Sequence, residues 1–300
     1  MIRRNTGAAP LFRPCTIPRI VCRHKRLLRS CQLIEYRPME TIAAISGYYV
    51  RGGEVDRLSV GRSRLEFLRT QDVLRRLLPA RPARVLDVGG AGVHARWLAA
   101  DGYRVRLVDP MPLHVQHAAA IGGVDAVLGE ARRLDEPDSA YQATLLLGPL
   151  YHLPERRDRV TALREAARVT APGGFVAAAT ISRYAGLYDT LVRDRYLEPD
   201  VRRITDATVM TGVHDPFDQD LFTLAYFHHP DEIVDEFTDA GLTGAARYAL
   251  EGGAWLFADR DGWLEGDDRT VALLDALRSV EQEPSLFGIT SHLLTVAVVK

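Results

Sequence analysis

Apolar residues at Leu65, Leu68, Val73, Leu74, Leu77 and Leu78 fall on one face of a helix that Pro79 closes. Directly after it, "ARVLDVGG" is an unbroken apolar run of the kind buried on both faces of a parallel sheet. "VHARWLAADG" returns to helical spacing, with Val93, Trp97 and Leu98 inward and Gly102 as its stop. "YRVRLVDP" alternates and ends on Asp109 and Pro110. "DAVLGEA", "ATLLLG" and "GFVAAATIS" predict three further strands. The last two are separated by the amphipathic helix of "PERRDRVTALREAARV", with Pro154 near its start. Strands alternating with helices at this interval predict an α/β fold with a doubly wound parallel sheet.

The pattern changes after residue 182. Residues 183–229 show no strand but many aromatics: Tyr184, Tyr188, Tyr196, Phe217, Phe222, Tyr226 and Phe227. "HPDEIVDEFTDAGL" then predicts a helix with Pro230 in its first turn and Gly241 as its stop. "GAARYALEG" and "HLLTVAVVK" predict two late strands on either side of a helix around "RTVALLDALRSV".

Composition narrows the picture only modestly. Apolar residues make up 47% of the 300 and charged residues 26%, and the formal net charge is −1. Nothing in these values points to nucleic acid or to an anionic membrane, and neither is expected as a partner. No apolar run has the length to cross a bilayer. The charge is unevenly placed, because residues 1–38 hold nine of the 38 Lys/Arg but one of the 39 Asp/Glu. The same stretch holds all three cysteines, Cys15, Cys22 and Cys31, at spacings that match no usual zinc pattern, and no metal is expected. A body without cysteine fits a reducing compartment, and a cytoplasmic location is expected. Residues 1–38 read either as an Arg-rich transit peptide or as a basic stretch outside the native protein, with Met39 as the natural start. The second reading is preferred, and the stretch is set apart from the fold as disordered or non-native.

Chemistry-bearing residues collect where the predicted strands end. In an open parallel sheet, ligands bind beyond the carboxyl ends of the strands, where the strand order reverses. Asp87, the turn of Gly89, Gly90, Ala91 and Gly92, Asp109, Glu130 and Gly148 all fall at such ends. A glycine turn feeding a helix presents backbone N–H groups and lets a ligand approach the main chain. An acid closing the second strand can accept both hydroxyls of a ribose, and one after the third can accept from an adenine amine. A dinucleotide site would carry G-x-G-x-x-G, which Ala91 and His94 interrupt. Asp87 also sets a negative charge where a pyrophosphate would lie, and suits a cofactor bearing an ammonium and a sulfonium.

The combination of "VLDVGGAG", Asp109, "LGEARRL", "LLLGPLYHL" and "TAPGGFV", followed by a late helix and two strands, resembles the class I S-adenosylmethionine-dependent methyltransferases, in the group that includes quinone-biosynthesis-type small-molecule enzymes. The resemblance covers residues 84–182 by motif and 230–300 by general pattern. It implies a Rossmann-like seven-stranded sheet, mostly parallel with an antiparallel last strand. The expected organisation is a helical N-terminal cover over 39–83 and a methyltransferase domain over 84–300, with a lid insertion at about 183–229.

Carried over by position, the resemblance assigns Gly89, Gly90, Ala91 and Gly92 to the methionine part of S-adenosyl-L-methionine. It assigns Asp109 and Pro110 to the ribose, Glu130 and Ala131 to the adenine edge, and Leu147 and Gly148 to the sulfonium side. Asp87 orients the loop and the methionine amine. Asp109 also reads as a helix cap, and Glu130 as a solvated loop acid. The family's D-x-G-x-G-x-G motif places glycines where this chain has Gly89, Ala91 and Val93. Either Ala91 takes a left-handed conformation, or the loop is one residue shorter and Gly92 comes into register.

Methyl transfer is an in-line displacement, so positioning the acceptor supplies much of the catalysis. A hydroxyl acceptor also needs a base, for which His152, beside Tyr151, is the candidate. His152 reads equally as a structural histidine. His214, His228 and His229 read as bases or as capping and loop residues. Gly148 stands where nucleobase amine methyltransferases carry a polar side chain, which favours oxygen or carbon acceptors. Tyr49, Arg69, Tyr184, Tyr188 and His228 are candidate substrate contacts, with Tyr48 beside them. Arg69 reads as well as a surface ion pair. The expected activity is methyl transfer to a small molecule. The alternatives are a degenerate methyltransferase fold acting as a binding or regulatory subunit, and a tRNA or protein methyltransferase. An NAD-dependent oxidoreductase is more distant. Oligomeric state is not legible.

Overall fold

The structure is a computed structural model that describes residues 63–216 and 221–300. The basic stretch 1–38, Tyr48, Tyr49 and Phe217 lie outside the described residues. The elements are α1 (Ser63–Leu77), β1 (Arg84–Val88), α2 (Val93–Ala100), β2 (Arg104–Asp109), α3 (Pro112–Ala119), β3 (Val124–Leu128) and β4 (Tyr141–Leu146). They continue with α4 (Arg156–Val169), β5 (Thr170–Ile181), α5 (Ala185–Val192), α6 (Pro199–Thr211), β6 (Val213–His214) and β7 (Ala225–Tyr226). The chain closes with α7 (Glu232–Asp239), β8 (Ala246–Ala249), α8 (Arg260–Trp263), α9 (Asp267–Val280) and β9 (His292–Val298).

Seven strands form one sheet in the order β3-β2-β1-β4-β5-β9-β8. The neighbours from β3 to β5 pair in parallel. The chain steps outward from β1 to β2 and β3, then returns to the other side of β1 as β4. The topological switch point therefore lies between β1 and β4, and ligands of such sheets bind at its carboxyl edge. The last strand, β9, is inserted between β5 and β8 and runs antiparallel to both. The Rossmann-like seven-stranded sheet with an antiparallel last strand is thus as expected.

Two apolar layers hold the sheet. On one face, Leu86, Val88, Val108, Leu146, Val176 and Ala178 pack with Ala162, Leu163 and Ala166 of α4 and Ile233 and Phe237 of α7. On the other, Val85, Val105, Leu107, Leu145 and Ala177 pack with residues of α1 (Val73, Leu74), α2 (Ala95, Trp97, Leu98) and α3 (Ala118). The alternation of Val85 and Leu86 between the faces explains why β1 reads as unbroken apolar sequence. Burying a side chain of this size stabilises the fold by about 1.5–3 kcal/mol.

Residues between β5 and α7 form α5, α6 and the β6–β7 ribbon, in which Val213 pairs with Tyr226 and His214 with Ala225. Two-residue strands leave no periodicity, so the sequence shows none here. Pro154 stands near the start of its helix, two residues before Arg156, as expected, whereas Pro230 stands two residues before Glu232 and not in the first turn. A buried polar cluster ties α4 to α7. Arg159 donates to both oxygens of Glu236 and to the carbonyls of Leu153 and Pro154, and lies 3.7 Å from the Tyr226 ring centroid.

Candidate functional site

The turn after β1 is left-handed at Gly89 (φ 69°), Ala91 (φ 49°) and Gly92 (φ 87°). Ala91 therefore takes the strained conformation itself, at a cost of about 1–2 kcal/mol, and Gly92 serves as the N-cap of α2. A Cβ on Gly90 would overlap the Asp87 carboxylate. The main chain is thus held against that acid with no room for a side chain. One on Gly148 would lie 2.7 Å from the Gly89 carbonyl oxygen. The β1 and β4 turns meet there, across the switch point.

Two carboxylates lie under this turn, and they differ. Asp109 accepts from the amides of Met111 (2.8 Å) and Ala91 (3.3 Å) and meets His114 Nδ1 at 3.1 Å. It closes a turn onto Met111, the N-cap of α3, and clasps the glycine turn as well. Asp87 is fully buried, and neither of its oxygens has a hydrogen-bond partner of good geometry among the described residues. Burial and the neighbouring Asp109 charge push its pKa up to about 7, against a smaller pull from the Ala95 amide. A buried carboxylate without a partner is costly unless a cation comes to it.

The remaining expected cofactor residues distribute as follows. Pro110 is exposed beside Asp109. Glu130 pairs with Arg132 (2.7 Å), which also pairs with Asp158. Ala131 is buried in the core. Leu147 is half-buried at the end of β4. Tyr151 and His152 form the short 3-10 turn that follows Gly148, with ring centroids 4.7 Å apart. Both face Phe222, at 6.1 and 5.9 Å.

Two expected substrate contacts are corrected. Arg69 is fully buried in α1 and donates to the Leu250 carbonyl, to Asp72 and to Glu281 (2.5 Å). Its guanidinium is matched within the protein, so it is neither a ligand contact nor a surface pair. His228 is also fully buried, with Nε2 3.3 Å from Glu236, and burial drives its pKa down. It holds the sheet edge, its amide donating to the Ile181 carbonyl. Tyr184 lies 6.3 Å from the His229 ring and Tyr188 edge-on to Trp255 at 6.5 Å.

A cavity of about 200 Å³ opens below α5 and α6. Its apolar wall includes Phe222, Phe227 and Trp255. Its polar wall includes Glu66, Glu251 and His292. These last three bring side-chain ligand atoms within 4.8 Å of one another. Sequence reading missed all three. Glu251 and His292 are 41 residues apart and meet because β8 pairs with β9, Ala249 opposite Leu293. Only that register reveals them.

Residues 85–174 match the family model described as a methyltransferase domain, a stretch that runs from β1 into β5 and contains Asp87, the glycine turn, Asp109, Glu130 and Gly148. The matched domain and the sheet support S-adenosylmethionine-dependent methyl transfer, with S-adenosyl-L-methionine as the cofactor. No curated protein sequence matches the chain. Among solved structures, it is similar to a Haloferax volcanii putative methyltransferase in complex with the Trm112 activator, at 18% identity and TM-score 0.54, covering 86% of this chain and 97% of that one. A possible histamine N-methyltransferase of Thermotoga maritima matches at 17% identity and TM-score 0.52, covering 87% and 99%. The Burkholderia thailandensis 1,6-didemethyltoxoflavin-N1-methyltransferase, solved with that compound and S-adenosylhomocysteine, matches at 16% and 0.52, covering 88% and 91%. At these identities the likeness is one of fold. No helix among the described residues is long and apolar enough to cross a membrane.

Proposed function

We propose that the protein methylates an oxygen or carbon atom of a small molecule, held between the carboxyl edge of the sheet and the segment 183–229 acting as a lid. The observation that carries this reading is the cavity, whose Phe222 wall touches the Tyr151–His152 turn at the end of β4. An apolar cavity of about 150 Å³ already accepts benzene, so this space suits a single substituted ring.

The chain's own residues fit the cofactor. Asp87 is a buried acid with no hydrogen-bond partner of good geometry among the described residues, which suits it to orient the methionine ammonium, and Gly90 lets the main chain lie against it. Asp109 holds the Ala91 amide and keeps a lone pair on Oδ2 for a ribose hydroxyl. Glu130 and the backbone at Ala131 border the adenine edge, and Gly148 allows the β4 turn to approach the sulfonium side. When bound, S-adenosylmethionine supplies an electrophilic methyl group. The protein's part is to orient the acceptor and exclude water.

Radiolabelled S-adenosylmethionine with the full chain and a whole-cell extract tests the acceptor class. Label recovered in the low-molecular-mass, solvent-extractable fraction supports the reading. Label confined to acid-precipitable protein or RNA contradicts it.

A further inference from the structure

The antiparallel course of β9 has a chemical result. Its first residue, His292, lies opposite Ile181, the last residue of β5, at the same carboxyl edge as the cofactor turns. β8 ends at Ala249, so Glu251, two residues on, reaches the same place. Glu251 Oε1 lies 2.5 Å from His292 Nδ1. Its Oε2 accepts from the Thr290 hydroxyl (3.0 Å) and from the His292 amide (2.9 Å). Both oxygens are engaged, Oε1 by the imidazole and Oε2 by the hydroxyl and amide that fix the carboxylate in place. Glu251 is buried and His292 half-buried, and both line the cavity.

We propose that His292, oriented by Glu251, is the general base that removes the proton from a phenol- or enol-type hydroxyl of the methyl acceptor bound in this cavity; this rests on the acceptor site proposed above. A carboxylate on Nδ1 fixes the proton there and leaves Nε2 as the accepting nitrogen. The hydroxyl proton passes to Nε2. The oxygen lone pair forms the new O–C bond as the methyl C–S bond breaks, with that electron pair leaving on sulfur. The imidazolium then returns its proton to water. Electrons and atoms balance without any further reagent.

The electrostatics suit a base that becomes cationic. Burial alone would push the Glu251 carboxyl up, but the charge and hydrogen bonds of His292 hold it below the usual range. Among the described residues, the other titratable or charged groups that line the cavity are Glu66 from α1, Asp189 from α5, Arg193 just after it, His214 from β6, and Arg260 from α8. Asp189 pairs with Arg193 and Asp261 with Arg260. Burial pushes His214 down to about 4, so it is neutral at working pH. Glu66, 3.8 Å from His292 Nδ1, adds a second negative charge to favour the imidazolium.

The test uses 4-nitrophenol, whose ionised form absorbs in the visible, with the full chain saturated by S-adenosylhomocysteine. The bound phenol is expected to ionise at least about one pH unit lower than in solution, the low end of what a contacting opposite charge produces. His292→Asn should abolish that shift, and Glu251→Gln should reduce it. Calorimetric binding of S-adenosylhomocysteine by each variant controls for folding. A bound phenol that ionises identically in parent and His292→Asn overturns the proposal, as does no binding at millimolar probe. Either result leaves the methyltransferase reading intact if S-adenosylhomocysteine still binds. Failure of that binding in the parent would instead count against the cofactor site.

Discussion

Asp87 and Asp109 lie at the ends of adjacent strands and are both buried, yet among the described residues only Asp109 has hydrogen-bond partners of good geometry. The protein satisfies one carboxylate with its own amides and leaves the other without such partners, which is the one proposed to meet the ligand's ammonium. That inequality gives Asp87 its pKa of about 7.

The folded-state value lies above the roughly 3.9 of an unfolded aspartate. The folded protein therefore holds this proton over a range where the unfolded chain has lost it. The associated stability is present below about pH 4 and is lost as pH rises through 7. Asp87→Asn, which removes the charge, should stabilise the cofactor-free protein at pH 8 by about 2–4 kcal/mol. The gain should fade towards pH 4. Thermal unfolding across pH without ligand checks this.

Bringing a ligand ammonium to Asp87 lowers its pKa, so binding below pH 7 should release a proton. Affinity for S-adenosylhomocysteine is then expected to rise several-fold from pH 6 to pH 8. Calorimetry in two buffers of different ionisation enthalpy measures the release directly, and Asp87→Asn should eliminate it.

Ala91 holds a left-handed conformation without glycine's freedom. Ala91→Gly should stabilise the protein by about 0.5–1 kcal/mol, the relief of strain less the added freedom of the unfolded chain. Its amide can still donate to Asp109, so cofactor affinity should not fall. Denaturant unfolding and one titration check both parts.

Arg159 and Glu236 form a nearly inaccessible pair at 2.7 Å. Arg159→Met leaves Glu236 buried without its guanidinium and should cost about 3–5 kcal/mol. Adding Glu236→Leu should recover part of the loss. Urea titrations of the single and double variants test this.

The sheet is legible in the sequence because buried strands leave apolar runs and β1, β2, β3 and β4 each close on or run into an acid or a glycine. Asp87, Asp109 and Gly148 are found this way, since strand ends converge at the switch point whatever the details of packing. Arg69 and His228 are misread because their types suggest ligands, while burial against Glu281 and Glu236 depends on contacts across the whole fold. Glu251 and His292 stay hidden for the same reason. Their pairing exists only once β9 has folded back between β5 and β8.

The central claim is that the turn between β1 and β2 holds S-adenosylmethionine through its two acids. Calorimetric titration of the full chain with S-adenosylhomocysteine, beside Asp109→Ala, tests it most directly. The account requires saturable binding by the parent and its loss, by tenfold or more in affinity, in the variant. No heat and no thermal shift in the parent at millimolar ligand, or equal binding by both proteins, would contradict it.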